Sequence, residues 1–137
     1  MLTKEEQRDE LRLSKKRAQY YNNLKDYKYL AYLRTDRNRY PGTITITKED
    51  AEILLESPCY YCSSFTNIGL DRRDSSKGHS KENVVSCCEK CNFILGDLPY
   101  TAKEVLRDKL YVINKRGFLE DWEIPIKRKY KRKYEHY

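Results

Sequence analysis

The sequence lacks any run of apolar residues long enough to cross a bilayer, so we expect no contact with a membrane. Histidine is also scarce: His79 and His136 are the only two in 137 residues, which leaves few side chains that exchange a proton near neutral pH. Hydrophobic residues make up 39% of the chain and charged residues 36%. A chain of this length and composition forms one small domain with extensions, and its core is too small to stabilise the fold without help.

The cysteines favour a reducing compartment. No apolar stretch follows the charged opening Met1–Glu6, so we expect no signal peptide and an intracellular protein, in the cytoplasm or nucleus. Five cysteines are present, and this odd number fits free thiols or a metal site better than two disulfides.

Two Cys-x-x-Cys pairs are the most informative motif. Cys59 and Cys62 form the first pair, Cys88 and Cys91 the second, and 25 residues separate them. Four thiolates at this spacing are typical of one tetrahedral zinc ion, which has a structural role because no coordination position stays open. Cys87 precedes the second pair and is interpreted as a small buried apolar residue.

Basic residues are concentrated near the C-terminus. The net charge is +7, and residues 101–137 carry 11 basic and six acidic side chains. The charge predicts an anionic partner, and nucleic acid is the first candidate. The densest run interleaves tyrosines with cations that suit phosphate contacts, namely Lys127, Arg128, Lys129, Lys131, Arg132 and Lys133. A solvated tail, or packing into RNA, explains the same run.

Local signals predict helices at both ends of the chain. Thr3 and Glu6 form a capping box, and the helix that follows should end before Pro41, with a face of Leu13, Tyr20 and Ala31 among others. Residues 43–47 alternate as a short strand or extended segment, and Thr47 caps a helix through residue 55. A capping box at Thr101 begins a further helix, with Val105, Leu106 and Leu110 inward, that ends near residue 117.

The segment between the cysteine pairs predicts a β-hairpin. One strand ends at Leu70–Arg72 and the return strand covers residues 83–86. Gly78 lies in the turn, where we expect it to take a positive φ. His79 follows it, at the surface. A helix from Cys88 to Leu95 then carries the second cysteine pair.

These motifs, in this order, resemble the HNH endonucleases with four zinc cysteines and a terminal asparagine, a type found in phages and viruses. The resemblance covers about residues 45–105. It rests on Ser57-Pro58-Cys59-Tyr60-Tyr61-Cys62, Gly69-Leu70-Asp71-Arg72, Lys77-Gly78, Glu82-Asn83-Val84-Val85 and Cys87-Cys88-Glu89-Lys90-Cys91-Asn92. It implies an α+β fold: a zinc-stapled, treble-clef-like ββα-metal core with a long N-terminal helix, a C-terminal helix and a basic tail.

The resemblance also implies roles for individual residues. Asp71 and Asn92 correspond to the oxygen ligands of a catalytic Mg²⁺ or Mn²⁺ ion, and Asn83 corresponds to the residue that orients the catalytic loop. Arg72 stands where the family has a base histidine; a guanidinium cannot readily accept a proton from water, although it can grip phosphate. His79 is a candidate substitute base.

Each of these residues also has a purely structural explanation: Asp71 could cap a turn or pair with Arg73, Asn92 could cap a helix, and Asn83 could satisfy hairpin backbone groups. Leu95 stands where many relatives place a lysine.

Two functions follow from the resemblance. The first is an endonuclease that hydrolyses DNA with one divalent ion and a structural zinc. The second is a zinc protein of the same fold that has lost its base and binds nucleic acid, or serves as a subunit of a viral or ribonucleoprotein assembly. We divide the chain into a helical extension (1–44), the zinc domain (45–117) and the basic tail (118–137), and a homodimer stays open.

Overall fold

The computed structural model describes residues 1–125, with the side chains of residues 21 and 22 outside that description. The protein is a mixed α and β structure with a two-stranded sheet. The predicted nucleic-acid residues of the tail, from Lys127 to Lys133, and His136 lie beyond the described residues. The secondary-structure elements of the described residues are α1 (Lys4–Arg39), α2 (Lys48–Leu55), β1 (Ile68–Arg72), β2 (Val84–Cys88), α3 (Glu89–Leu95), α4 (Tyr100–Lys115) and α5 (Phe118–Asp121), with a 3₁₀ turn at Lys81–Asn83. Within residues 1–125, no helix is both long and apolar enough to span a membrane.

Helix α1 begins and ends where the sequence predicts. The Thr3 hydroxyl accepts a hydrogen bond from the Glu6 N–H at 3.1 Å, and the Glu6 carboxylate accepts one from the Thr3 N–H. Residues 1–19 are all exposed, so the first 16 helical residues extend about 24 Å along the axis without a packed face. Only the C-terminal half of α1 packs on the domain.

The packed face of α1 matches the predicted one only in part, since Tyr20 is partly buried but other predicted members are not. Leu13 is 50% exposed and Ala31 is also exposed. Tyr29, Tyr32 and Asp36 contact the domain instead, spaced three and four residues apart on one helical face. Periodicity of apolar residues missed this face because all three of these contacts are hydrogen bonds made by polar side-chain atoms.

The segment before α2 is extended but forms no strand. Residues 43–47 are not part of the β-sheet, and the Ile46 N–H donates one hydrogen bond, to the His79 carbonyl at 2.7 Å. Thr47 then caps α2 as predicted, with its side chain accepting from the Asp50 N–H.

Strands β1 and β2 form the predicted antiparallel hairpin. Asp71 lies opposite Val85, and Ile68 lies opposite Cys88. Two clusters of buried apolar residues pack against the hairpin. One joins the cysteine pairs to α3, α4 and α5, and includes Tyr61, Ile68, Val85, Leu95 and Leu110. The other joins the hairpin to α1 and α2, and comprises Ile46, Ala51 and Val84 with Tyr29, Leu54 and Leu70 at its edge.

Helix α4 starts one residue before the predicted cap. Its N-cap is Pro99, and Thr101 makes no cap. Leu110 is buried as predicted, but Val105 is 74% exposed. The inward face carries Lys103 instead, which is 3% exposed. The prediction failed because a buried charged residue breaks the apolar pattern that it relied on.

Gly78 is needed for close approach and not for a positive φ, which corrects the prediction. The glycines with positive φ are Gly42, Gly96 and Gly117. A Cβ on Gly78 would lie 2.6 Å from the Thr43 Oγ1 and 2.7 Å from the Asp36 Oδ1. The loop between β1 and β2 therefore packs directly on the end of α1.

We predict that Gly78→Ala lowers the free energy of unfolding by about 1–3 kcal/mol, because the new methyl group must push Thr43 or Asp36 away. Urea denaturation followed by circular dichroism measures the change. Ser75→Ala, at an exposed position of the same loop, is the matched control and should stay within about 0.5 kcal/mol of the native chain. Equal stabilities of the two variants would contradict the packing argument.

Candidate functional site

The four cysteines of the two Cys-x-x-Cys pairs form one buried cluster. The sulfurs of Cys59, Cys62, Cys88 and Cys91 all lie within 4.8 Å of one another. The first pair comes from the loop after α2, and the second spans the junction of β2 and α3. Cys88 is the N-cap of α3, where its sulfur accepts from the Cys91 N–H at 3.4 Å. Four convergent sulfurs without a disulfide can hold a metal ion such as zinc, as predicted.

The fifth cysteine is not a member of the cluster. Cys87 is 3% exposed and packs in the core beside it, as the sequence predicted. Contact with the Cys59 sulfur, and then burial, raise the pKa of the Cys87 thiol, so Cys87 stays a neutral apolar side chain. Substitution of Cys87 therefore serves as a control for substitution of the four clustered cysteines.

We predict that Cys62→Ser releases the metal and unfolds the domain, because a small core depends on its metal for stability. Cys87→Ala should keep one bound zinc per chain. Mass spectrometry of the metal content, with circular dichroism beside it, measures both. A Cys62→Ser protein that is folded and still binds one zinc ion would contradict the assignment of the four cysteines as its ligands.

Asp71 lies in a buried polar contact between β1 and α4. Its carboxylate accepts hydrogen bonds from the Lys103 ammonium at 3.0 and 3.2 Å, and from the Tyr61 hydroxyl at 2.9 Å. Asp71 is 9% exposed and Lys103 3%. Burial, and then the Asp71 carboxylate, raise the pKa of Tyr61, so its hydroxyl remains a donor. Asp71 thus holds a cation, but it neither caps a turn nor pairs with Arg73.

Asn83 and Asn92 have different environments. The Asn83 amide donates to the carbonyls of Asp74 and Gly78 at 3.0 and 2.9 Å, and its oxygen accepts from the Asp74 N–H at 2.9 Å. Asn83 therefore fixes the hairpin loop. Asn92 is exposed on α3, and its side chain has no hydrogen bond within residues 1–125. The alternative that Asn92 caps α3 is wrong, because Cys88 is the cap.

Arg72 is tied to the loop that follows it. Its guanidinium donates to the carbonyls of Ser75 and Lys77 at 3.0 and 3.2 Å, and it lies 4.8 Å from the centroid of the Tyr40 ring. The position that corresponds to a base therefore holds the loop in shape. Leu95 is 2% exposed, so the position at which the resemblance would place a lysine belongs to the core.

His79 is buried, which corrects the surface location predicted for it. It is 6% exposed. Its backbone N–H donates to the Asp36 carboxylate at 2.9 and 3.0 Å, and its Nδ1 lies 2.8 Å from the Asp36 Oδ1. Thr45 donates to the same carboxylate at 2.7 Å. The contact joins the end of α1 to the hairpin loop, and sequence missed it because the two residues are 43 positions apart.

The two groups titrate in directions that follow from this burial. Burial lowers the pKa of His79 below 6.5, although Asp36 favours the charged ring. Burial raises the pKa of Asp36, but the hydrogen bonds from His79 and Thr45 outweigh it and leave the pKa below 3.8. Near neutral pH the pair is therefore a neutral imidazole donating to a carboxylate.

We predict that this pair makes stability fall as the pH drops below 6.5. The unfolded His79 then binds a proton that the folded imidazole resists, so the free energy of unfolding decreases towards the folded pKa. Urea denaturation at about pH 7.5 and about pH 5.5 measures the loss in the native chain and in His79→Asn. The asparagine keeps a donor but does not titrate, so its loss should be smaller; metal release affects both proteins alike. Equal losses would show that His79 does not contribute.

A second polar group lies beside the Asp71 contact on α4. The Tyr60 hydroxyl donates to the Glu104 carboxylate at 2.7 Å, and the Arg107 guanidinium lies 3.8 Å from the Tyr60 ring centroid. Arg73 lies over the Tyr100 ring, and its Nε is buried without a hydrogen-bond partner among the described residues. Sequence reasoning missed Lys103, Arg73 and Arg107, because single basic residues on an amphipathic helix or strand end carry no distinctive signal.

Comparison with known proteins gives one viral relative. The chain is 35% identical over 75 residues to an uncharacterized protein of Acanthamoeba polyphaga mimivirus. The match covers 53% of this chain and 14% of the mimivirus protein, so the chain spans a small part of its relative's length. No family model and no solved structure matches. The chain is thus a mixed α and β protein with a four-cysteine cluster that can hold a metal ion, and it is similar over part of its length to a viral protein.

Proposed function

We propose that the protein is a small HNH-type endonuclease that hydrolyses phosphodiester bonds of DNA, with a structural zinc ion in the four-cysteine cluster. The observation that carries the proposal is the placement of Asp71. This buried carboxylate lies in β1 of a hairpin that leads directly into α3, and the hairpin and helix are joined at the cysteine cluster. Strand β1, strand β2 and helix α3 follow one another in the order that the ββα resemblance implies, with one cysteine pair before β1 and the other at the junction of β2 and α3.

Asp71 and Asn92 are the oxygen donors of the proposed catalytic metal. Their oxygens are hard ligands of the kind that Mg²⁺ and Mn²⁺ prefer, and in the free protein the Asp71 carboxylate is paired with the Lys103 ammonium. A divalent ion at these oxygens would stabilise the charge that develops on the phosphate and the leaving oxygen. Asn92 is exposed on α3, where it is accessible to such an ion.

Other side chains supply the contacts to the substrate. Asn83 and Arg72 hold the loop beside Asp71 in one shape, which fixes the geometry of the site. The basic residues Lys127–Lys133 would add phosphate contacts along the backbone of the nucleic acid.

A second function is favoured by the state of the two candidate bases. Arg72 stays protonated and donates to loop carbonyls, so it does not take a proton from water. His79 donates its Nδ1–H to Asp36, which leaves Nε2 as an acceptor, but the ring is 6% exposed and water has little access to it. In this alternative the module binds nucleic acid without cutting it, as a subunit of a larger viral or ribonucleoprotein assembly.

We predict that the zinc-loaded protein nicks supercoiled plasmid with Mg²⁺ or Mn²⁺, and that Asp71→Asn lowers the rate by about 100-fold or more, because it removes the charged ligand. Asp97→Asn, at an exposed position, is the matched control and should cut at the native rate. Zinc content and thermal unfolding confirm that each variant is folded.

The same plasmid distinguishes the second function. Retardation of the plasmid on a gel without nicking at any metal concentration would refute the endonuclease and support the binding module. Nicking that Asp71→Asn leaves unchanged would mean that the cutting arises elsewhere, or from a contaminant.

A further inference from the structure

Lys103 is the one residue of the Asp71 site that the family resemblance does not supply. It lies in the first turn of α4, 32 residues after Asp71, and its ammonium contacts both carboxylate oxygens at 3.0 and 3.2 Å. Both side chains are almost fully enclosed, with 4% and 10% of their surface exposed. Tyr61 occupies a further acceptor position on Oδ2.

A buried carboxylate with these partners has little capacity left. A divalent cation needs the same oxygen lone pairs that the ammonium uses, and two cations at one carboxylate repel each other. Releasing Lys103 would leave a charged group in the core without its partner, which is strongly unfavourable. Metal binding at Asp71 must therefore work against an ion pair that the fold has already formed.

We propose that Lys103 is an intramolecular competitor for the divalent cation at Asp71. The ammonium is the resident cation of the site in the free protein, and it weakens the affinity of Asp71 for Mg²⁺ and Mn²⁺. The role of this competition in cutting rests on the proposed endonuclease, but the competition itself concerns binding alone.

The first test is titration of zinc-loaded protein with Mn²⁺, followed by isothermal calorimetry and by the electron paramagnetic resonance of free Mn²⁺. Lys103→Met removes the ammonium and keeps the length of the side chain. We expect it to bind one Mn²⁺ per chain at least about tenfold more tightly than the native protein, a change of about 1.4 kcal/mol. Lys103→Arg keeps a cation at the position and should resemble the native chain.

The gain must depend on Asp71. Lys103→Met combined with Asp71→Asn should lose it, because the ligand is gone. Equal Mn²⁺ affinity in Lys103→Met and the native protein would overturn the proposal, and so would a gain that survives Asp71→Asn. Lys103→Gln serves as a second variant if the methionine protein is unfolded, since its amide can still donate to the carboxylate without a charge.

Failure of the endonuclease is distinguishable from failure of this inference. Loss of nicking in every variant, with the Mn²⁺ gain of Lys103→Met intact, would refute only the endonuclease. Nicking by the native chain that depends on Asp71, without any Mn²⁺ gain in Lys103→Met, would refute only the competition.

Discussion

The convergence of four cysteine sulfurs within 4.8 Å is the constraint on which the rest of the structure depends. The first pair follows α2, and the second joins β2 to α3, so the cluster closes the chain around the hairpin. A two-stranded hairpin is marginal in water by itself, and the apolar clusters on its two sides are small. A metal held by four thiolates would add binding free energy that is also folding free energy. The hairpin can then carry charged residues in its interior.

Two buried pairs of ionisable side chains connect the hairpin to helices outside the cysteine motif. Asp71 binds Lys103 of α4, and His79 binds Asp36 of α1. Removing one partner of such a pair leaves a buried group unsatisfied, which costs more than the pair contributes. The two contacts therefore specify how α1 and α4 dock more than they add to stability. They also fix the loop that separates Asp71 from Asn83.

The sequence predicted what depends on near neighbours and missed what depends on distant ones. The caps at Thr3 and Thr47, the hairpin strands and the cysteine cluster were predicted correctly, since each signal lies within a few residues or in a known ligand spacing. The burial of His79 and Lys103 was not, because their partners lie 43 and 32 residues away. From the sequence alone, a charged residue on the inward face of a helix is assigned to the surface, because its distant partner is not known. The predicted metal ligands Asp71 and Asn92 and the tail cations stay predictions.

The arrangement around Asp71 bears on how such a site would work. The Arg72 guanidinium donates hydrogen bonds to the carbonyls of Ser75 and Lys77, and the His79 Nδ1–H donates to the Asp36 carboxylate. With Nδ1 donating to Asp36, the His79 Nε2 keeps its lone pair, but the ring is 6% exposed. A water attacking phosphate outside this core would pass its proton to the phosphate itself or to solvent. The remaining contribution of the protein would be electrostatic, from cations held at fixed positions. Lys103 is one such cation, since it is 3% exposed and its ammonium contacts both oxygens of Asp71.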